Sequence, residues 1–261
     1  MERVYAVRDP RTLLIVNEPS VTISALHPNP LLGLRVASRL GFRAVTLSAA
    51  QIGTRPRELD RSERRGLISE LKRLELSCDS IDLFIPPEHF TNAETMDRAI
   101  HAVRDALDLG SDLGASTLFL RLPHESIDTP PLEATQALME FANSSRIRLA
   151  DVGLGGRPLC AIEAGAPISI GIGLDTASWL ADGRDPLEGL ILHGGLVCGV
   201  RLVGLDETGS RVSPPPHSRI DMHAWRQAFD INVHGASIVI DARGWRDPLD
   251  GVTQALQAWR D

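Results

Sequence analysis

The sequence predicts an α/β protein in which eight parallel strands alternate with helices and close into a (β/α)8 TIM barrel, a single domain over residues 1–261. Three observations predict it. Eight short apolar runs alternate with amphipathic stretches along the whole chain. Most of these runs are bounded by Gly or Pro and are apolar on both faces, as strands covered by helices must be. A chain of 261 residues is also about the length that eight such units occupy.

In order, the first strand is Val21–Leu26, followed by "NPLLGLRVASRLG", where Leu32, Val36 and Leu40 share a helix face and Gly41 ends the helix. The second strand, Ala44–Ser48, leads to "RSERRGLISELKRLEL" with Leu67, Leu71 and Leu74 on one stripe. The third, Ser80–Ile85, leads to the longest helix, with Ala99, Val103, Ala106 and Leu107 inward. The fourth, Ser116–Leu122, is followed by "PLEATQALMEFANSSRIRLA", read throughout as helix. The fifth strand is Leu159–Glu163 and the sixth Ile170–Asp175. Only "AGAPIS" lies between them, too short for a helix, so the helix between strands 5 and 6 is expected to be missing. Strand 7 is Val197–Val203, and strand 8 is Ser237–Asp241. The helices "DPLEGLILHGG", "MHAWRQAFDINVHG" and "DPLDGVTQALQAWR" follow strands 6, 7 and 8. Asp185-Pro186 and Asp247-Pro248 are N-cap and N1 signals, and Asp221 is a further N-cap. "DETGSRVSPPPHSR" after strand 7 reads as a long loop over the barrel mouth, a potential lid.

Composition excludes several chemistries. Lys72 is the only lysine and falls on an outer helix, so Schiff-base and pyridoxal phosphate (PLP) chemistry lacks its nucleophile. No GKS or GKT, no GxGxxG after a strand and no GxSxG occurs, which removes the P-loop, nucleotide-cofactor and serine-hydrolase signatures. Tyr5 is the only tyrosine. A net charge of -7 argues against nucleic acid or an anionic membrane as partner. The basic cluster Arg55–Arg65 reads as a solvated face or an anion contact near a site mouth. Cys78, Cys160 and Cys198 form no CxxC pair and read as buried thiols. With no signal peptide and no membrane-length apolar run in view, a cytoplasmic protein is expected.

Catalytic groups of such barrels sit at the C-terminal ends of strands. Those ends bring His27, Glu88 and His89, Arg121 with His124 and Glu125, Glu163, Asp175, Arg201, Asp206, and Asp241 with Arg243. Glu163, Asp175 and Asp241 stand out because each directly continues an apolar strand.

These residues, with "LLGLRVASRLGFRAVTL", "AIHAVRDALDLGSDLGASTLFLRL", "GIGLDTASWLADGRDP" and "GVRLVGLDETG" in that order, make the chain resemble the xylose-isomerase-like TIM barrels, the sugar phosphate isomerase/epimerase superfamily. Apurinic-site endonucleases are distant relatives. The resemblance implies a divalent ion (Mn, Mg or Co) held by acidic and His residues on strands 5 to 8, flanked by two carboxylates that shuttle a proton beside a carbonyl. Carried onto this chain, the metal ligands are Glu163, Asp175 and Asp241, and the acid–base pair is Glu163 and Asp241. The strand 7 His falls at Arg201, and another common His falls at Ser178. A guanidinium has no lone pair for a metal, so Arg201 is expected to supply the positive charge itself, leaving a degenerate metal site with weak or absent affinity. His89 and His124 are alternative ligands, for zinc among others. His124, Arg121 and Arg243 are candidate substrate contacts. The implied function is a sugar or sugar-phosphate isomerase or epimerase acting on a small sugar-like ligand, with a homo-oligomer allowed. The alternative is a non-catalytic barrel, a pseudoenzyme that binds a sugar-like ligand or a protein partner. An open strand-end pocket would favour the first reading, and one filled by Arg201 and its neighbours the second.

Overall fold

A computed structural model of the chain describes residues 18–123, 132–153, 169–214, 218 and 220–261. Eight parallel strands close into a barrel: β1 (Ser20–Thr22), β2 (Ala44–Ser48), β3 (Ser77–Asp82), β4 (Thr117–Leu120), β5 (Arg148–Asp151), β6 (Ile170–Asp175), β7 (Val197–Leu202) and β10 (Ser237–Ile240). The circuit runs β1-β10-β7-β6-β5-β4-β3-β2. A two-stranded antiparallel hairpin, β8 (Gly204–Leu205) and β9 (Arg211–Val212), follows β7. The TIM barrel expected from the sequence is therefore the observed fold.

The helices are α1 (Pro30–Arg39), α2 (Arg61–Arg73), α3 (Met96–Leu113), α4 (Glu133–Ser145), α5 (Thr176–Ala181), α6 (Pro186–His193), α7 (Met222–Asn232) and α8 (Pro248–Arg260). Their starts follow the sequence signals. Asp185, Asp221 and Asp247 each accept a backbone N–H of the first turn, and Asp60 with Glu63 forms a reciprocal capping box. Asp221 and His223 therefore open a helix, and His223 meets Gln227 one turn on.

One strand moves relative to the sequence reading. Residues 147–150 do not continue α4. The helix ends at Ser145, Arg146 takes a left-handed conformation (φ 59°), and β5 begins at Arg148. β5 pairs with β4 on one side (Leu120 opposite Asp151) and with β6 on the other (Asp151 opposite Ile172). The barrel thus closes without Leu159–Glu163, and the carboxylate ending its fifth strand is Asp151, not Glu163. The physical cause is the alternation Ile147, Leu149, Asp151, a period of two that a helical reading absorbs. Residues 154–168, with Cys160, Glu163 and the expected missing helix, lie outside the described residues, as does His124.

Inside the barrel, Phe119, Ala150, Cys198 and Val239 form a small buried cluster. Gly199 makes room for it: a Cβ there would stand 2.5 Å from the Phe119 ring. The larger apolar core lies between the strands and the helices, with Trp259 edge-on to Phe229. Beneath the cluster, at the N-terminal end, Ser20, Thr46 and Ser80 are linked hydroxyl to hydroxyl, and Ser20 also donates to Asp79. Cys78 and Cys198 are buried free thiols, and burial pushes both pKa values up. Among the described residues no helix is long and apolar enough to cross a membrane.

Candidate functional site

At the C-terminal mouth, strands β3, β5 and β6 each end in an aspartate, and Asp241 follows β10: Asp82, Asp151, Asp175 and Asp241, all 5% exposed or less. Buried carboxylates so close to one another are costly unless cations or donors meet them. Each is met.

Asp82 takes Arg201 on Oδ1 and Arg243 on Oδ2. Arg243 also forks onto Asp241, with Nε 2.8 Å from Oδ1 and Nη2 2.6 Å from Oδ2. Arg211, delivered by β9, donates to Asp175 Oδ2 at 2.9 Å, while the other oxygen of Asp175 caps α5 through the N–H of Ser178. Asp151 Oδ1 accepts the N–H groups of Leu122 and Gly153 at 3.0 and 2.8 Å. Arg201 stands opposite Asp175 in the β6–β7 register, its guanidinium carbon 5.2 Å from the centre of the Phe119 ring. The cluster that Gly199 admits is therefore the floor on which this cation rests.

Burial alone would raise the pKa of Asp241. The hydrogen bonds and charge of Arg243, helped by the charges of Arg201 and Arg211, hold it below the usual carboxylate value. Burial would likewise lower the pKa of Arg243, but Asp241 and Asp82 raise it. Asp82, Asp175 and Asp241 against Arg201, Arg211 and Arg243 make three charges of each sign.

Above this network lies a cavity of about 440 Å³, lined on its polar side by Asp82, Asp175, Arg121, Arg201, Arg211 and Arg243 and on its apolar side by residues that include Leu83, Phe84 and Trp179. That volume is in the range of small-molecule sites. Arg121 lines it without an ion pair or hydrogen bond to any described residue.

The structure thus brings together Asp175, Arg201, Asp241, Arg243 and Arg121, all singled out in the sequence. His27 instead accepts the N–H of Asn29 in a turn, and His89 sits in a 3-10 turn (Pro87–Phe90) away from the cavity lining. Asp206 accepts N–H groups of Thr208 and Ser210 at the hairpin tip. Sequence reasoning missed Asp82, Asp151 and Arg211. Asp151 carried the same signal as Asp175, a carboxylate closing an apolar run, hidden by the helical reading. Asp82 stands mid-run in the sequence, because apolar residues continue to Ile85. For Arg211 no local signal exists, since only the hairpin turns it back over β6.

The described residues do not fit the divalent ion implied by the resemblance. No group of three or more His, Cys, Asp or Glu among them could hold a metal, and Asp82, Asp175 and Asp241 direct their oxygens at guanidinium groups.

No family model matches the chain, and no curated protein is significantly similar to it in sequence. Solved structures share its fold. A D-psicose 3-epimerase from Clostridium cellulolyticum H10 superposes at a TM-score of 0.69 and 11% identity, over 93% of this chain and 98% of that one. A 3-keto-D-glucoside 4-epimerase from E. coli gives 0.67 and 12% over 93% and 98%. A probable 3-DHS dehydratase from Bacillus anthracis gives 0.67 and 11% over 94% and 99%. Xylose isomerase domain proteins are also among the matches. The chain has the fold of the xylose-isomerase-like barrels.

Proposed function

We propose that this protein is a sugar or sugar-phosphate isomerase or epimerase that moves a proton on the carbon beside a carbonyl, with arginine charge where the sequence resemblance implies a metal. The observation that carries the reading is the polar cavity at the strand ends, walled by buried carboxylates and by guanidinium groups. The sugar epimerases among the proteins of like fold support it.

Roles follow from the geometry. Arg201 faces the cavity from β7 and is oriented by Asp82, so it is the group to polarise a carbonyl oxygen and to stabilise the enediolate that forms when the proton leaves. Arg243 has both Asp82 and Asp241 as partners, so it stiffens the wall. Arg121, unpaired among the described residues, is the contact for a phosphate or carboxylate on the ligand. Asp241, forked by Arg243 and held at a low pKa, suits fixing charge better than shuttling protons. Glu163, in the chain between β5 and β6, is the proposed base on the sequence resemblance alone, since the carboxylate that ends β5 is Asp151. Neither PLP nor a nucleotide enters the reaction, and the partner is a small polar ligand.

A panel of ketoses, keto-sugars and their phosphates in D₂O with EDTA tests the reading, with proton loss at the carbon next to the carbonyl followed by NMR. Exchange by the wild type, lost in Glu163→Gln and slowed in Arg201→Met, is the expected result. A second reading, a barrel that binds a sugar-like ligand without turning it over, is favoured by one observation: Asp82, Asp175 and Asp241 are each tied to an arginine. Saturable binding with no exchange for any member of the panel would establish that reading and remove the first.

A further inference from the structure

A second cleft adjoins the polar cavity. It has a volume of about 320 Å³ and lies between the β2–α2 loop and the middle of α3. Ala49, Ala50 and Pro56 line it from the loop, Leu83 and Ile85 from the chain after β3 and Ala102 from α3, with Arg55, Arg57 and Asp105 as its charged members. Leu83 and Phe84 line both the cleft and the polar cavity, so the two adjoin across the chain that follows β3.

Phe84 is 70% exposed. Isolated exposed apolar residues are ordinary, but this one stands on the ridge between a polar compartment and an apolar one. An aromatic face in that position covers apolar ligand surface on one side and the less polar face of a sugar ring on the other. The cleft is also preformed. The buried hydroxyl of Thr54 donates to the Ser48 carbonyl at 2.7 Å, and Arg55 bridges the Ala50 carbonyl and Glu58 at 3.0 Å each. The wall that receives a ligand is braced before the ligand arrives, which lowers the ordering cost of binding. Arg55 therefore serves as a brace within the basic stretch noted in the sequence.

We propose that the ligand is a conjugate: a hydroxylated, sugar-like part in the polar cavity and an apolar substituent of about the size of one ring laid across Phe84 into the Ala50–Ala102 cleft. This deepens the proposed function and rests on it for the polar half. The substituent that fits is largely apolar, since apolar side chains outnumber the charged Arg55, Arg57 and Asp105 in the lining.

Paired methyl and 4-nitrophenyl pyranosides of glucose, galactose, mannose and their 3-keto forms test it by ligand-observed NMR titration. The aryl member of at least one pair is expected to bind about tenfold more tightly than its methyl partner. Ala50→Trp, which fills the cleft from an exposed position, and Phe84→Ala, which removes the ridge, should each bring that ratio to about one. Circular dichroism confirms that both variants are folded. A methyl pyranoside that binds with no aryl gain, or a gain that survives Ala50→Trp, overturns the conjugate while leaving the sugar site standing. Silence from every pyranoside overturns the conjugate, and the exchange panel in D₂O then decides the sugar site by itself. Self-association of the wild type that Ala50→Trp abolishes would assign the cleft to a second copy of the chain and overturn the proposal as well.

Discussion

Removing the guanidinium at the centre of the site should cost the protein much of its stability. Arg201 and Asp82 form an ion pair with side chains 13% and 4% exposed. Breaking a buried pair by deleting one partner costs about 3–5 kcal/mol, because the other charge is stranded. Asp82 keeps Arg243 on its second oxygen, so the loss falls at or below the bottom of that range, about 2–3 kcal/mol. Methionine retains the apolar stem over Phe119, which separates the charge effect from lost packing. For a domain of this size each kcal/mol moves the melting temperature by about 2–4 °C, so Arg201→Met should melt about 4–12 °C lower. Thermal unfolding by circular dichroism in 0.05 and 0.5 M NaCl reads this, and the shift should persist at high salt because a buried pair is weakly screened. Asp82→Leu in both backgrounds completes a cycle whose coupling should exceed about 1 kcal/mol. A melting temperature within about 2 °C of wild type, or no coupling, would falsify the view that arginine neutralises this carboxylate ring.

Other outcomes are expected. Mn²⁺ titrated into the wild type should show no stoichiometric micromolar binding by calorimetry; a one-to-one isotherm in that range would show that residues outside those described complete a metal site. Burial raises the Asp79 pKa from 3.8 to about 6, against the lowering effect of Ser237, Ser20 and Arg148. The native state therefore binds more protons than the unfolded state between about pH 4 and 6, so stability falls as pH rises through that window, by about 2–3 kcal/mol in all. Asp79→Asn should flatten urea-derived stability across that window and leave the protein more stable at pH 8; an unchanged slope would refute the assignment to Asp79. Gly199→Ala drives a methyl into the Phe119 ring and should cost about 1–3 kcal/mol, with binding at the mouth weakened because Arg201 loses its floor. Full stability in that variant would mean that the ring moves aside freely.

The difference between what was legible and what was not follows the range of the forces involved. α1, α2, α3, α6 and α8 announce themselves through stripes of leucine and alanine and through Asp-Pro starts, which are contacts within a few residues. β5 did not, because Ile147 and Leu149 serve equally as the last turn of a helix. Only pairing with Thr117–Leu120 and with Leu149's partner Ile170 decides for strand. Asp175 and Asp241 could be read from position alone, as polar groups closing apolar runs, and Arg201 from the resemblance, as the residue at the strand 7 His position. Their partners could not: Arg211 lies 36 residues from Asp175, and Arg201 lies 119 from Asp82.

By itself the sequence determined the alternation of strand and helix, a length that suits eight such units, and the scarcity of lysine, with Lys72 the only one. These are properties of composition and of periods of two and 3.6 residues, which the chain carries locally. Tertiary structure alone decided which arginine neutralises which aspartate, that Asp82 is shared by two of them, and that an apolar cleft opens beside the polar one. Charge pairing depends on distance through space, and a closed barrel brings residues from opposite ends of the chain within hydrogen-bond reach.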